Sequence, residues 1–182
     1  VGTEIKITEI MEFLAVAFHN IMYYASIYPK NIFETRKKYG IVVYRCVHPD
    51  VNKYVDKCLK SIGSALKTHD LHRVEFAVTD ADFRPGLKYV FDFDRMDDYD
   101  DAADAYLVRC EQNLRAFCLL LATQSRKFKG LPADCSFAIY LHTNESIAEG
   151  IRDLIVKVIH LFCSTIRVYF RKKMEILVKN MF

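Results

Sequence analysis

Two stretches in the middle of the chain alternate apolar with other side chains at the two-residue period of a β-strand. In the first, Val74, Phe76 and Val78 form the apolar set, and in the second every other residue from Leu87 to Phe93 is apolar. The tripeptide Arg84-Pro85-Gly86 separates them. Because successive side chains of a strand point to opposite faces, the pattern predicts an antiparallel pair with one face on a core. Other elements must cover that face.

Three helical patterns can supply this cover. From Glu4 to Tyr28 apolar residues recur at steps of three and four, and Pro29 is expected to stop the helix. A second pattern begins at Pro49, which suits a first helical turn, and should end between Lys67 and Asp70. A third is predicted from Asp101 to Thr123.

Two shorter segments complete the predicted order of elements. Residues 41–47 are rich in β-branched side chains and read as a short strand or hairpin arm, and residues 137–141 alternate as another strand. The order is helix, short strand, helix, two strands, helix, strand and tail. With 182 residues, of which 52% are hydrophobic, the chain is expected to form one α+β domain. Three helices should pack on one face of a largely antiparallel sheet.

The sequence gives no sign of catalysis, of a metal site or of a cofactor. Six cysteines are scattered without a C-x-x-C pair, so we expect reduced thiols in a nuclear or cytosolic protein. His69, Asp70 and His72 form the densest group of metal-ligating types, but they fall in a predicted turn. His19 is expected to be an ordinary helix histidine. Charged residues among the first twelve argue against a signal peptide.

Three consecutive basic residues, Arg36, Lys37 and Lys38, form a candidate phosphate-binding patch beside Tyr39 and Tyr44. The alternative is a solvated basic loop next to a strand. The net charge of the chain is only +3, which is too small to indicate nucleic-acid binding by itself, so the loop is favoured.

Several segments together resemble the HORMA-domain family: "EFLAVAFHNIMYYASIYPKNIFETRKKYGIVV", "HPDVNKYVDKCL", "FRPGLKYVFDF", "NLRAFCLLL" and "CSFAIYLHT". The similarity runs from about Glu12 to about Glu145. The Tyr28-Pro29 pair and the later K-Y-G are shared with the spindle-checkpoint branch of the family. The H-P-x-x-N-x-Y pattern, which begins at His48, and L-R-A-F point instead to the branch of accessory, non-catalytic subunits of translesion DNA polymerase zeta.

The resemblance implies a binding module rather than an enzyme. HORMA domains hold an extended partner peptide against an edge of the central sheet and close a C-terminal safety belt over it. In the polymerase branch the peptide is proline-rich and comes from the polymerase zeta catalytic subunit, and a Y-family scaffold polymerase is a further partner. This implies an adaptor in DNA damage tolerance, in the nucleus, with the cytoplasm as a further location. A spindle-checkpoint HORMA protein and a small single-strand nucleic-acid-binding module remain the alternative functions.

The resemblance also implies site residues. Tyr54 matches the aromatic that packs on the partner's proline, with Pro49, Asn52 and Cys58 as neighbouring candidates; the alternative is that Tyr54 is a core residue. A second group concerns dimerisation. Arg115 matches the family's dimerisation arginine, and Ala116 is assigned to the same interface; here the alternative for Arg115 is an ordinary surface position.

The C-terminal end departs from the family. We divide the chain into a HORMA core at 4–149 and a divergent tail at 150–182, which lacks the tryptophan-containing belt segment and is not expected to keep the strands that return across the sheet. Residues 154–170 could form a membrane helix, although three basic residues within it oppose insertion. The tail could instead be a helix or strand that occupies the groove, or the product of alternative splicing or a mispredicted exon, which is slightly favoured.

Overall fold

The computed structural model describes residues 2–82, 84–93, 103–124, 128, 131, 134–143 and 166–172. The helices are α1 (Gly2–Tyr24), α2 (Pro49–Lys67) and α3 (Ala103–Thr123), and a single 3₁₀ turn covers Lys30–Ile32. The strands are β1 (Phe33–Lys38), β2 (Ile41–Cys46), β3 (Leu71–Thr79), β4 (Pro85–Phe93), β5 (Ser136–Thr143) and β6 (Ile166–Lys172).

The main sheet has four strands in the order β5-β3-β4-β6, and each neighbouring pair is antiparallel. Phe76 of β3 pairs in register with Tyr89 of β4 on one side and with Ile139 of β5 on the other. Directly paired residues share a face of the sheet. The predicted apolar sets of β3 and β4 are therefore aligned on one face, and all of them are buried.

All three helices pack on this face. Phe18 of α1 contacts Phe76 and Phe91 with ring centroids 5.4 Å and 6.0 Å apart. Phe117 of α3 contacts Phe91 at 6.0 Å, and Tyr54 of α2 contacts a β5 ring on the same face. The predicted α+β architecture, with three helices on one face of an antiparallel sheet, is confirmed.

The opposite face of the sheet carries ion pairs among partly buried charges. Glu75 is 4% exposed, and its carboxylate lies 3.0 Å from Lys88 Nζ and 3.5 Å from His142 Nε2. On the same face, Arg73 pairs with Asp92 at 2.5 Å. Charges partly removed from water are stable in a fold when they are paired, so these ion pairs accommodate the burial of Glu75.

The β1–β2 hairpin was only half predicted. The expected strand at 41–47 is present as β2, but residues 33–38, including the basic triplet, form its antiparallel partner rather than a loop. Tyr39 and Gly40 connect them with φ of 53° and 72°, the left-handed conformation of a two-residue hairpin turn. The buried side chain of Asn20 ties the hairpin to α1, because its amide accepts from Tyr44 N–H at 3.2 Å and donates to the Val16 carbonyl at 2.7 Å.

Helix α1 ends earlier than the sequence predicted. It stops at Tyr24, five residues before Pro29, because Ser26 adopts a left-handed φ of 55°. The Ile27 N–H then bonds back to the Met22 carbonyl at 3.2 Å, as in a common helix C-terminal motif. Tyr28 and Pro29 therefore lie after the turn and outside the helix.

The tail contributes a strand, contrary to the expectation that no strands return across the sheet. Residues 166–172 form β6, paired with β4 along its length. Of the proposed membrane helix, residues 166–170 belong to this strand, and residues 154–165 lie outside the described residues. No helix in the described part of the chain is long and apolar enough to span a membrane.

Candidate functional site

A pocket of about 510 Å³ lies where the start of α2 meets the start of β5. Its walls come from the segment after α1, the first turns of α2 and the first residues of β5. The lining residues are Tyr28, Pro29, Ile32, His48, Asp50, Val51, Tyr54, Ser136 and Phe137. The pocket thus collects residues that are far apart in sequence and mostly apolar or aromatic.

Three aromatic rings shape the pocket. Phe137 is the central one: Tyr54 meets it edge-on at 5.5 Å between centroids, and Tyr28 does so at 6.3 Å. On its inner side Phe137 stacks on the core residue Phe76, with centroids 5.1 Å apart and planes 4° apart. Because Phe137 stacks on a buried core ring, it forms a rigid floor, and the pocket is preformed.

Helix α2 is oriented so that Tyr54 faces the pocket. His48 caps its first turn by accepting the Asp50 N–H on Nδ1 at 3.3 Å, and Pro49 occupies the first helical position. Val51 and Val55 are buried against the core, whereas Tyr54 is 41% exposed. The tyrosine is therefore at the surface and is not a core residue.

The surroundings of the Tyr54 hydroxyl oppose its ionisation. Burial raises the pKa of the phenol, and contact with the Cys58 thiol adds to the rise, whereas a hydrogen bond from the Ile139 backbone lowers it. Burial also raises the pKa of Cys58, and the Tyr54 contact opposes that rise. The raised pKa keeps the Tyr54 phenol neutral at physiological pH.

The pocket opens beside a sheet edge. In the order β5-β3-β4-β6, strand β6 covers the outer side of β4, and within the described ranges no strand pairs with the outer side of β5. An edge strand presents main-chain N–H and C=O groups that can pair with another extended segment. The site therefore combines a main-chain docking edge with an aromatic pocket.

Comparison with protein-family models matches residues 7–162 to the HORMA domain. The chain belongs to the HORMA-domain family. It is 32% identical over 145 residues to "Mitotic spindle assembly checkpoint protein MAD2B" of Homo sapiens, covering 80% of this chain and 69% of the relative. It is 29% identical over 143 residues to "DNA polymerase zeta subunit 2" of Drosophila melanogaster, covering 78% and 72%.

The fold of this HORMA domain also matches solved structures. A chain of the structure titled "Crystal Structure of Mitotic Checkpoint Complex" superposes with a TM-score of 0.68 and 16% identity, covering 91% of this chain and 96% of that chain. "Structure of HTP-2 bound to HTP-3 motif-6" gives 0.60 and 15%, covering 88% and 86%. At these identities the likeness shows the fold alone.

The structure separates the four residues predicted to bind a peptide. Tyr54 lines the pocket, whereas Cys58 lies one turn further along α2 and outside the lining. Pro49 starts the helix but is absent from the lining. Asn52 is two residues before Tyr54, about 200° around the helix, and also lies outside the lining. Peptide contact by each of them remains a prediction.

The two residues predicted for dimerisation lie on α3. Arg115 is exposed and Ala116 is partly buried. The Arg115 guanidinium lies beside the hairpin turn, 3.4 Å from the position that a Cβ on Gly40 would take. Leu119, one turn further along, is 48% exposed. A mixed basic and apolar surface is thus available, and its use as an interface remains a prediction.

The basic triplet is not a free cationic loop. Arg36 pairs with Glu34 at 2.7 Å, and Lys38 pairs with Glu12 of α1. Two of the three cations are therefore matched by carboxylates within the chain. In the described part of the chain no group of three or more metal-ligating side chains could hold a metal ion.

The sequence patterns do not identify most of the pocket. Tyr28 and Pro29 belong to a family signature, and Phe137 belongs to a predicted strand. The apolar alternation of β5 predicts that Phe137 faces the core. It does not predict that Tyr54 lies next to Phe137 in the pocket, because that depends on where α2 packs. His48 was recognisable as a helix cap from its position before Pro49.

Proposed function

We propose that this HORMA domain is a non-catalytic adaptor that captures an extended, proline-containing peptide. The peptide adds as a strand to the outer edge of β5 and places a proline in the pocket formed by Tyr28, Tyr54 and Phe137. The observation that supports this most directly is the juxtaposition of an edge without a described partner strand and a preformed aromatic pocket. Strand addition draws affinity from main-chain hydrogen bonds and selectivity from side-chain pockets.

The shape of the pocket favours proline as the anchoring residue. Aromatic-lined grooves bind proline-rich segments because the ring is apolar and its backbone is already restricted, so little conformational entropy is lost. Tyr54 and Phe137 meet at 75°, so the two aromatic residues contribute ring surfaces in different orientations to the lining. Six of the nine lining residues are apolar or aromatic, so most of the lining suits an apolar ring.

The names of the relatives indicate which protein would supply such a peptide. Those named as subunits of DNA polymerase zeta support the proposal that the peptide belongs to another subunit of that polymerase, the catalytic one. A Y-family scaffold polymerase is the second partner that we propose. The adaptor would then act in translesion synthesis, in the nucleus, without an active site of its own.

Peptide binding tests the proposal. Overlapping proline-containing peptides tiled across the polymerase zeta catalytic subunit of the same organism would be titrated against the full chain by fluorescence anisotropy. At least one should bind, and Tyr54→Ala should weaken it about tenfold or more because an aromatic anchor in a pocket carries a large share of binding energy. Val42→Ala, which truncates an apolar side chain 58% exposed on the hairpin, is the control and should leave the affinity unchanged.

Two results would contradict the proposal: no bound peptide, or equal affinity for the Tyr54→Ala and wild-type chains.

A spindle-checkpoint role is the second candidate. The MAD2B relative carries that function in its name, and the same edge and pocket would then receive a peptide from a checkpoint partner. Competition would decide between them: a checkpoint-derived peptide that displaces the polymerase peptide, and binds more tightly, would favour the second candidate.

A further inference from the structure

The two long edges of the β1–β2 hairpin differ in how their main-chain groups are used. On β2, the Tyr44 N–H donates to Asn20 Oδ1 at 3.2 Å. The Cys46 N–H donates to His19 Nδ1 at 3.4 Å. Asn20 and His19 belong to α1 and are 1% and 7% exposed. Buried side chains of α1 therefore occupy the outward N–H groups along the β2 edge.

These bonds fix the direction of the main-chain groups on β1. In an antiparallel pair, directly opposite residues alternate between pairs that exchange hydrogen bonds and pairs that direct their groups away from each other. Tyr44 directs its N–H to α1, so its partner Thr35 directs its own groups away from β2. The same parity holds for Lys37, two residues further along, and its partner Val42. The outer edge of β1 thus presents the N–H and C=O groups of Thr35 and Lys37.

This outer edge of β1 is open. Thr35, Arg36 and Lys37 are exposed, and within the described ranges β1 pairs only with β2. An edge that carries unpaired main-chain groups is a template for another extended segment. Lysine on an edge strand also discourages indiscriminate pairing. The edge therefore discriminates between partners by their charge.

The exposed side chains along the edge are mostly cationic. Lys37 makes no ion pair with a carboxylate in the described part of the chain. Arg36 pairs with Glu34 at 2.7 Å, but the two side chains are 57% and 39% exposed, and ion pairs as exposed as this contribute little to stability. Arg36 is therefore available to a carboxylate from outside. Opposite charges directly across a strand pair stabilise it, and like charges destabilise it.

We propose that the outer edge of β1 is a second strand-addition site, which accepts an extended acidic segment of a partner protein. The carboxylates of that segment lie opposite Arg36 and Lys37, and main-chain hydrogen bonds to Thr35 and Lys37 hold it. A second copy of this chain would bring three cations and one carboxylate in its own β1 to the edge, so it fits the charge less well. The site goes beyond the proposed function, because it uses another strand and requires no proline.

Peptide probes added to the full chain test the site. The peptide TVEEVTV places its two glutamates opposite Arg36 and Lys37, and TVKKVTV is the matched peptide of reversed charge. Amide hydrogen exchange, read by NMR, should slow about tenfold or more at Thr35 and Lys37 with saturating TVEEVTV. The Arg36 amide, which is directed toward β2, is the internal reference. Equal effects of the two peptides, or no protection by TVEEVTV, would overturn the site.

Proline substitutions test whether the main chain is involved. Thr35→Pro removes an outward N–H at a position where an edge strand tolerates proline, and it should abolish the protection of Lys37 by TVEEVTV. Val42→Pro is the matched control, because its N–H is also directed away from the partner strand but on β2, and it should leave the protection unchanged. Slow exchange at Tyr44 and Cys46 in both variants shows that the hairpin is intact. Unchanged protection of Lys37 in Thr35→Pro would overturn strand addition.

Charge reversal tests the selectivity without altering the main chain. Lys37→Glu should weaken the binding of TVEEVTV and strengthen that of TVKKVTV, each about threefold or more. A chain that prefers TVEEVTV equally with either residue would overturn the charge rule. An oligothymidylate that displaces TVEEVTV and binds wild type and Thr35→Pro equally would indicate a phosphate-binding patch instead. A wild-type dimer that Thr35→Pro converts to a monomer would assign the edge to a second copy. Neither probe contains proline, so these outcomes are independent of peptide capture at β5.

Discussion

The Nδ1 atom of His19 on α1 accepts a hydrogen bond from the Cys46 N–H on β2 over 3.4 Å. The imidazole is only 7% exposed. Burial, followed by the charge of Arg45, lowers its pKa from 6.5 to about 4, with Asp56 acting in the opposite direction. The fold therefore holds this histidine neutral, which is the form that can accept a bond at Nδ1.

This relationship predicts a loss of stability in mild acid. The unfolded chain binds the proton at a pKa of 6.5 and the folded chain at about 4. The stabilisation is therefore complete above pH 6.5 and is lost as the pH falls toward 4. The full loss should be about 3 kcal/mol. Urea unfolding of wild type and His19→Asn between pH 7 and pH 4 measures it, since asparagine retains an acceptor but does not titrate. Parallel pH profiles for the two proteins would contradict this prediction.

The close approach of α1 and α2 at Gly63 predicts that the effect of Gly63→Ala on stability depends on the side chain at position 11. A Cβ added at Gly63 would lie 2.7 Å from Met11 Sδ. We expect Gly63→Ala to lower the free energy of unfolding by about 1 kcal/mol through overpacking. In a Met11→Ala background the same change should raise it by about 1 kcal/mol, because alanine is the better helix former.

A double-mutant cycle by urea denaturation would measure this coupling. Gly86→Ala is the control, because its added Cβ would meet its nearest neighbour at 3.7 Å, an ordinary contact distance, and its effect should not depend on Met11. Additive effects of the Met11 and Gly63 changes would show that no such contact limits the α1–α2 packing.

The exposed surface of α3 predicts self-association. Arg115 and Leu119 lie one turn apart on it. If this surface forms a dimer interface, Arg115→Ala and Leu119→Glu should each weaken the dimer about tenfold or more, because both act at the buried centre of the contact. Sedimentation equilibrium measures this, and Val42→Glu on the hairpin should leave it unchanged. A wild-type chain that stays monomeric at the highest accessible concentration would refute the interface.

The ion pairs made by Arg36 and Lys38 of the hairpin predict weak binding of single-stranded nucleic acid. Arg36 and Lys38 are matched by Glu34 and Glu12, so Lys37→Glu should change little. Glu12→Gln combined with Glu34→Gln should release both cations and increase binding, with a steeper dependence on salt concentration. Anisotropy with a labelled oligonucleotide over a salt series would show this. Tight, strongly salt-dependent binding by wild type would favour the nucleic-acid alternative.

The sequence alone determined the elements whose patterns are local and strong. The alternation in β3 and β4 and the stripe of α2 after Pro49 each reflect one face buried against a core, and the structure has them where they were predicted. Strand β1 is not predicted from the sequence, because "FETRKK" is polar and forms a strand through its pairing with β2. The early end of α1 is not marked in the sequence either, because the residue with the left-handed φ is Ser26 and not a glycine.

Only the tertiary structure assembled the candidate site. Tyr28, Tyr54 and Phe137 belong to three segments, and the distances among them depend on how α2 packs against β5. Periodicity reports which side of an element is buried, because burial acts on each element separately. It does not report which buried or half-buried surfaces face each other, because that follows from the packing of the whole domain.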